Sequence, residues 1–330
     1  MTGSARLHCK LLVATVGLVI ATSTDDSGAA DPSPLTFTYK QVGDLEIKAD
    51  VYGAAPGDSR PVLVWIHGGA LIGGNRTSVD RRLRDAMLDA GCVVVSIDYR
   101  LAPETMLPEI IADLEDAFRW VREHGPALFG ADPQRIGVAG GSAGGYLTLT
   151  AGFRVEPRPP ALVALYGYGD LIGDWYSTPS AYPRHNKNKP TAEEAQAQVS
   201  GPPIADDRDR KGQGFLFYEW CRQHGAWPKG VSGWDPHTEG EKFFPFMPVK
   251  NVTPDYPPTI LIHGTADTDV PYEQSVLMAA EFDSHGVEHR LISLENGEHG
   301  FGGADKQAIE DAYAAAIAFL KEKLGCGQAP

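Results

Sequence analysis

The segment Arg135-Ile136-Gly137-Val138-Ala139-Gly140-Gly141-Ser142-Ala143-Gly144 decides the fold. Its first five residues read as a strand and the residues from Ala143 onward as a helix, so Ser142 falls on a turn of the form G-x-S-x-G. A serine at so sharp a strand-to-helix turn takes a strained backbone and exposes its hydroxyl, and side chains at Gly140 and Gly144 would collide with the flanking elements. Taken alone, the pentapeptide also fits a plain tight turn. The surrounding chain must separate the two readings.

Working outward, short β-like runs at Leu35 to Lys40 and Leu45 to Tyr52 suggest a leading antiparallel pair. Apolar runs then alternate with helical patterns: Val62 to Ile66, Val93 to Ile97, Ile136 to Ala139, Leu162 to Tyr166, Thr259 to Ile262 and His289 to Leu294. The intervening helices are expected at Val79 to Ala90, Pro108 to His124, Ala143 to Phe153, Tyr272 to Ser284 and about Asp305 to Leu324. In the second, Ile110, Leu114, Ala117, Phe118 and Val121 recur at three- and four-residue intervals, which gives one apolar stripe. Such alternation predicts an α/β fold with a mostly parallel sheet and helices on both faces.

The rhythm breaks between Tyr166 and Thr259, where Pro, Gly and aromatic residues accumulate. A structureless loop of that length is improbable inside a compact domain, so a partly helical cap is expected over about 171–250, with Gly214 to His224 its clearest helix. Its aromatic rings either form a small core of their own or line a substrate pocket.

With 330 residues and 42% hydrophobic composition, the chain can bury the core of one large domain, expected over 31–330 with the cap inserted. A net charge of −14 argues against nonspecific attraction to nucleic acid or anionic lipid. The first 30 residues read as an export signal: Arg6 and Lys10 precede the apolar run Leu11 to Ile20, and small residues follow as far as Ala30. Cleavage is expected after Ser23 or near Ala30, which makes the mature protein secreted or periplasmic, without stable insertion in a membrane. Removing the signal takes away Cys9 and leaves Cys92, Cys221 and Cys326, with no metal-ligand spacing. Cys92 reads as a small core residue, and Cys221 and Cys326 are the pair available for a bridge in an oxidising compartment.

Nucleophilic attack by a serine needs a base, a group that orients the base, and donors for a developing oxyanion. His299, in Glu298-His299-Gly300-Phe301, follows the last expected strand and can project imidazole over the sheet edge. Asp267, in the loop after the preceding strand, is the expected orienting acid, with Asp269 as the alternative. The strand Val62 to Ile66 runs into His67-Gly68-Gly69-Ala70, so the N–H groups of Gly68 and Gly69, with that of Ala143, are the expected oxyanion donors. His67 is expected to fix this loop by hydrogen bonding. His124, His185, His224 and His237 have no comparable context and default to surface or packing roles.

These segments resemble the α/β-hydrolase esterases with an HGG-type oxyanion loop: the hormone-sensitive-lipase-like carboxylesterases and the secreted acetyl and feruloyl esterases. The resemblance runs from about Val62 to Phe301, and the order Ser142, Asp267, His299 is that of α/β-hydrolase triads. It implies the α/β-hydrolase fold and cleavage of a carboxylic ester, that of a small molecule or an acylated carbohydrate, through an acyl-enzyme without cofactor or metal. The cap after the sixth strand departs from the lipase-like group, which often builds its cap from an N-terminal extension, and short acyl or acetyl esters are expected because the cap's bulky rings would crowd a pocket. The resemblance further implies that Asp98, Arg100 and Glu104, in Asp98-Tyr99-Arg100-Leu101-Ala102-Pro103-Glu104, support the oxyanion loop. Ala70 stands where lipase-like members carry a third glycine, and Gly141 where many carry an acid before the serine. Two other functions share the fold: a peptidase or amidase of the prolyl-oligopeptidase type, and a noncatalytic ligand-binding protein.

Overall fold

The computed structural model describes residues 33–210 and 212–326. The expected signal segment lies outside the described residues. Eight strands form one sheet in the order β1-β2-β4-β3-β5-β6-β7-β8. They are β1 Leu35–Val42, β2 Leu45–Tyr52, β3 Arg60–Ile66, β4 Val93–Ile97, β5 Ala131–Gly141, β6 Leu162–Leu165, β7 Thr259–Gly264 and β8 His289–Leu294. β2 pairs antiparallel with β1 and with β4, and every other pairing is parallel.

Helices α1 Arg81–Asp89, α2 Leu107–Phe129 and α3 Ala143–Arg154 precede the cap. The cap carries α4 Asp174–Ser177, α5 Ala192–Ala197, α6 Phe215–His224 and α7 Trp227–Ser232, and α8 Glu273–His285 and α9 Lys306–Leu324 complete the chain. Strand side chains alternate across the sheet, as a two-residue period requires. Val62, Val64 and Ile66 share one cluster with Ile110, Leu114, Phe118, Leu147 and Phe282, so α2, α3 and α8 cover that face. Leu63 and Trp65 join Leu83, Met87, Tyr313 and Leu320 on the opposite face, under α1 and α9.

Three details depart from the sequence reading. Helix α2 continues through Gly125 and Pro126 to Phe129, although both residues are helix breakers, because Phe129 is fully buried against the core. The last strand before the cap stops at Leu165, since Tyr166 turns to φ 38° and leaves the sheet. Cys326 does not face Cys221: its Sγ lies 2.6 Å from Cys92 Sγ, where the end of α9 meets the start of β4. Cys221 is buried inside the cap beside Phe217 and Gly230.

The cap's rings divide between both expected roles. Trp175 stacks on Tyr176 at 3.5 Å and Tyr176 on Trp227 at 3.9 Å, which makes an aromatic core. Phe215 and Tyr218 of α6 instead face the cavity over the sheet edge.

Candidate active site

In the parallel part of the sheet, the loops leaving the C-terminal ends of β3, β5, β6, β7 and β8 converge, the usual position of ligand sites in such sheets. The turn after β5 holds Ser142 at φ 58° and ψ −121°. Its glycines are sterically required: a Cβ at Gly144 would lie 2.0 Å from the Ile66 carbonyl oxygen, and one at Gly140 2.4 Å from that of Gly144. Gly141 also has a local cause, because a Cβ there would come within 2.8 Å of the Tyr166 hydroxyl.

His299 follows β8 in a single turn of 3-10 helix. Its Nε2 lies 3.0 Å from Ser142 Oγ, and its Nδ1 lies 2.7 Å from Asp267 Oδ2. Asp267 Oδ1 accepts the N–H groups of Asp269 and Val270 at 2.8 and 2.9 Å, which fixes the carboxylate from the far side. Burial alone would raise its pKa, but hydrogen bonds from His263 and His299 hold it at about 2. Asp269 faces the other ring nitrogen, with Oδ2 3.7 Å from Nε2, so it is not placed to orient Nδ1. The two supporting loops pack backbone on backbone: Ala266 N–H donates to Gly297 O, and a Cβ at Gly264 would lie 2.1 Å from that oxygen.

The loop after β3 bends back over the Ser142 turn. A Cβ at Gly68 would come within 2.8 Å of Gly141 O, and one at Gly69, at φ 110°, within 2.1 Å of Gly73 O. Among the described residues, no acceptor takes the N–H groups of Gly68, Gly69 or Ala143. His67 is buried, stacks on Tyr99 at 4.3 Å and places Nδ1 2.7 Å from Gly68 O. Burial pushes its pKa down to about 4, so above that pH the ring is neutral and Nδ1–H donates to the carbonyl.

The three expected supporting residues act differently. Glu104 pairs with Arg210, whose guanidinium also donates to the carbonyls of Ile72 and Ala102, so this pair does clamp the loop. Asp98 accepts the backbone N–H and guanidinium of Arg76, just past the loop, both at 2.7 Å. Arg100 does not support the loop: it grips the fully buried Asp113 of α2 in a bidentate pair at 2.7 and 2.8 Å. Further ties come from the cap, where Trp227 Nε1 donates to Ala70 O at 2.9 Å and Asp207 accepts Gly74 N–H at 2.8 Å.

A cavity of about 380 Å³ opens above Ser142, lined by Trp65, Ile72, Tyr166, Gln213, Phe215 and Tyr218 among others. Tyr166 sets the edge of its ring against His299 at 4.8 Å, a contact that sequence reasoning missed. Its one available signal is an aromatic residue at the end of a strand beside the nucleophile. Among the described residues, no group of three or more His, Cys, Asp or Glu side chains converges as a metal site.

Residues 63–211 match the family described as α/β hydrolase fold, and residues 213–327 match the prolyl oligopeptidase family. Esterase 2 of the planctomycete Thermogutta terrifontis, solved with propionate bound, is 25% identical, with a TM-score of 0.61 over 91% of this chain and 97% of that one. The chain has the α/β-hydrolase fold. A Staphylococcus aureus protein of unknown function shares the fold at TM-score 0.67 and 22% identity, covering 88% of this chain and 99% of its own. Among curated proteins, the chain is 29% identical over 338 residues to the non-reducing polyketide synthase adrD of Penicillium rubens, matching 84% of its own length. To the methylphloroacetophenone synthase of Cladonia uncialis it is 26% identical, over 80% of this chain. It spans 13% and 12% of the length of those two synthases.

Proposed function

We propose that the protein is exported and cleaves short-chain acyl esters through an acyl-enzyme formed on Ser142. The observation that carries this reading is the unbroken series Ser142 Oγ, His299 Nε2, His299 Nδ1 and Asp267 Oδ2, with steps of 3.0 and 2.7 Å. In the forward step, His299 Nε2 takes the Ser142 proton as Oγ bonds to the ester carbonyl carbon. The carbonyl oxygen gains the electron pair and is received by the N–H groups of Gly68, Gly69 and Ala143. On collapse, the alcohol oxygen leaves with the proton held at Nε2, and water then attacks the acyl-enzyme by the same route. Asp267 keeps Nδ1–H occupied, so that Nε2 is the basic nitrogen facing Ser142.

Short chains are favoured because the cavity, at about 380 Å³, is near the lower end of the range of roughly 300–1,000 Å³ for ligand sites and is walled by aromatic rings. Solved forms of the Thermogutta esterase hold propionate and butyrate, which supports the same acyl class. Parallel assays of p-nitrophenyl acetate, butyrate and dodecanoate test the proposal, with the first two expected to turn over faster. Faster turnover of dodecanoate would overturn it. The export element is tested by N-terminal sequencing of the protein recovered outside the cytoplasm, and an intact Met1 there would reject the cleaved signal.

The match of residues 213–327 to the prolyl oligopeptidase family favours a second reading, an amidase or peptidase using the same three side chains. Aminoacyl p-nitroanilides separate the two: cleavage of anilides with no turnover of esters selects the peptidase.

A further inference from the structure

Among the described residues, Asp269 is the one carboxylate lining the cavity beside His299. Its two oxygens have different surroundings. Oδ1 accepts from Tyr218 OH at 2.6 Å and His185 Nε2 at 2.8 Å, and Arg222 lies 3.5 Å away, all from the cap. Oδ2 accepts no hydrogen bond from a described residue; its nearest basic groups are Arg184 at 3.5 Å and the His299 ring at 3.7 Å. Although burial opposes ionisation, His185, His299, Arg184 and Arg222 hold Asp269 well below the usual carboxylate range. The cap thus anchors one oxygen and leaves an ionised acceptor at the nitrogen that serves the leaving group.

We infer that Asp269 determines alcohol specificity, with Oδ2 accepting a hydrogen bond from a hydroxyl of the leaving alcohol, so that polyol and sugar esters are preferred to esters of apolar alcohols. The inference rests on the proposed triad, in which the departing oxygen takes its proton from His299 Nε2 and therefore sits about 3 Å from it. A vicinal hydroxyl lies about 3 Å further on, within hydrogen-bond reach of an oxygen placed where Oδ2 is. An anionic alcohol would meet this carboxylate unfavourably.

The test compares the monoacetate of ethylene glycol with the acetate of its monomethyl ether, two substrates that differ in whether that hydroxyl can donate. In the wild type, kcat/KM should favour the free hydroxyl by about 10- to 100-fold, the range for a hydrogen bond to a charged group. Asp269→Asn can keep an oxygen toward Tyr218 and His185 while putting an amide NH2 in place of Oδ2, and should bring the ratio close to one. Equal kcat/KM values in the wild type, or an unchanged ratio in Asp269→Asn, would overturn the inference and leave the triad intact. Hydrolysis of neither acetate would instead count against the triad and this reading together. Should Asp269→Asn fail to fold, the wild-type ratio still decides.

A separate observation concerns Cys92 and Cys326. Their sulfur atoms, 2.6 Å apart, are closer than two unbonded thiols can pack. We propose that this pair is a site of disulfide formation, closing the end of α9 onto the start of β4. With a small-molecule disulfide as oxidant, the partly exposed Cys326 thiolate attacks it and releases one donor thiol. Cys92 then attacks the mixed disulfide at the Cys326 sulfur and releases the second, so that two electrons and two protons pass to the donor.

Oxidised glutathione followed by alkylation and nonreducing peptide mapping tests it. A linked peptide pair containing Cys92 and Cys326 is expected, lost with dithiothreitol and absent in Cys92→Ser. Separate alkylation of both cysteines after oxidation, or a link from Cys326 to Cys221, would overturn it.

Discussion

At the scale of single residues, the Ser142 turn is held by exclusion of side chains. Gly144→Ala would place a methyl group 2.0 Å from Ile66 O and 2.7 Å from His67 O, where rigid backbone has no room to move. We expect a loss at or beyond the upper end of the roughly 1–3 kcal/mol typical of overpacking, read as a lower urea midpoint. Gly141→Ala meets only the end of the Tyr166 side chain, so it should cost less stability and instead lower kcat by moving the ring that abuts His299. Protonation gives a second residue-scale outcome. The native state holds His67 at about 4 against an ordinary 6.5, so the unfolded chain binds this proton more tightly. The stability His67 contributes is therefore complete above pH 6.5 and is lost as pH falls toward 4, by about 3 kcal/mol in all. Asp267, held at about 2, adds a further loss only as pH falls from 3.8 toward that value. Urea unfolding across pH 4 to 7 should show this slope reduced in His67→Gln. An unchanged slope would show that other groups produce it.

At the scale of elements, the loop after β3 is held from three directions by residues far away in sequence. Trp227 of α7 takes Ala70 O, Arg210 takes Ile72 O while paired with Glu104, and Asp207 takes Gly74 N–H. Trp227→Phe removes one hydrogen bond and keeps most of the ring, so it should cost about 0.5–1.5 kcal/mol of stability while lowering kcat more than it raises KM. Arg100→Ala should do the reverse. It leaves Asp113 buried with only Lys40 as a cation, costing on the order of 3–5 kcal/mol, yet the folded fraction should keep its kcat. Stopped kinetics on both variants beside their urea curves separates the two.

This contrast also marks what could be read from the sequence. The strand and helix order was legible because period-two and period-3.6 apolar patterns report burial directly. Ser142, Asp267 and His299 were legible because each lies just past a strand, flanked by glycines that tight loops require. Tyr166, Trp227, Arg210 and the Arg100–Asp113 pair were not: each depends on side chains that meet only when the sheet and cap are assembled, and nothing local marks them. The Cys92 contact was missed for the same reason, since 234 residues separate it from Cys326.

At the scale of the whole molecule, five loops at one edge of the sheet form the floor of the cavity and the cap forms its wall. Phe215, 61% exposed, stands at the cavity mouth, so Phe215→Ala should open the wall and raise the ratio of dodecanoate to butyrate turnover. An unchanged ratio would place the chain-length limit deeper in the cavity. Assembly of sheet and cap brings the Ser142 hydroxyl to His299, and the proposed mechanism makes it the nucleophile. Rapid mixing with p-nitrophenyl acetate, followed by acid quench and peptide mass mapping, tests this most directly. A burst of one p-nitrophenolate per chain and an acetyl group on the peptide containing Ser142 are expected, both lost in Ser142→Ala. A burst of the same size in Ser142→Ala, or an acetyl group on another residue, would contradict the mechanism.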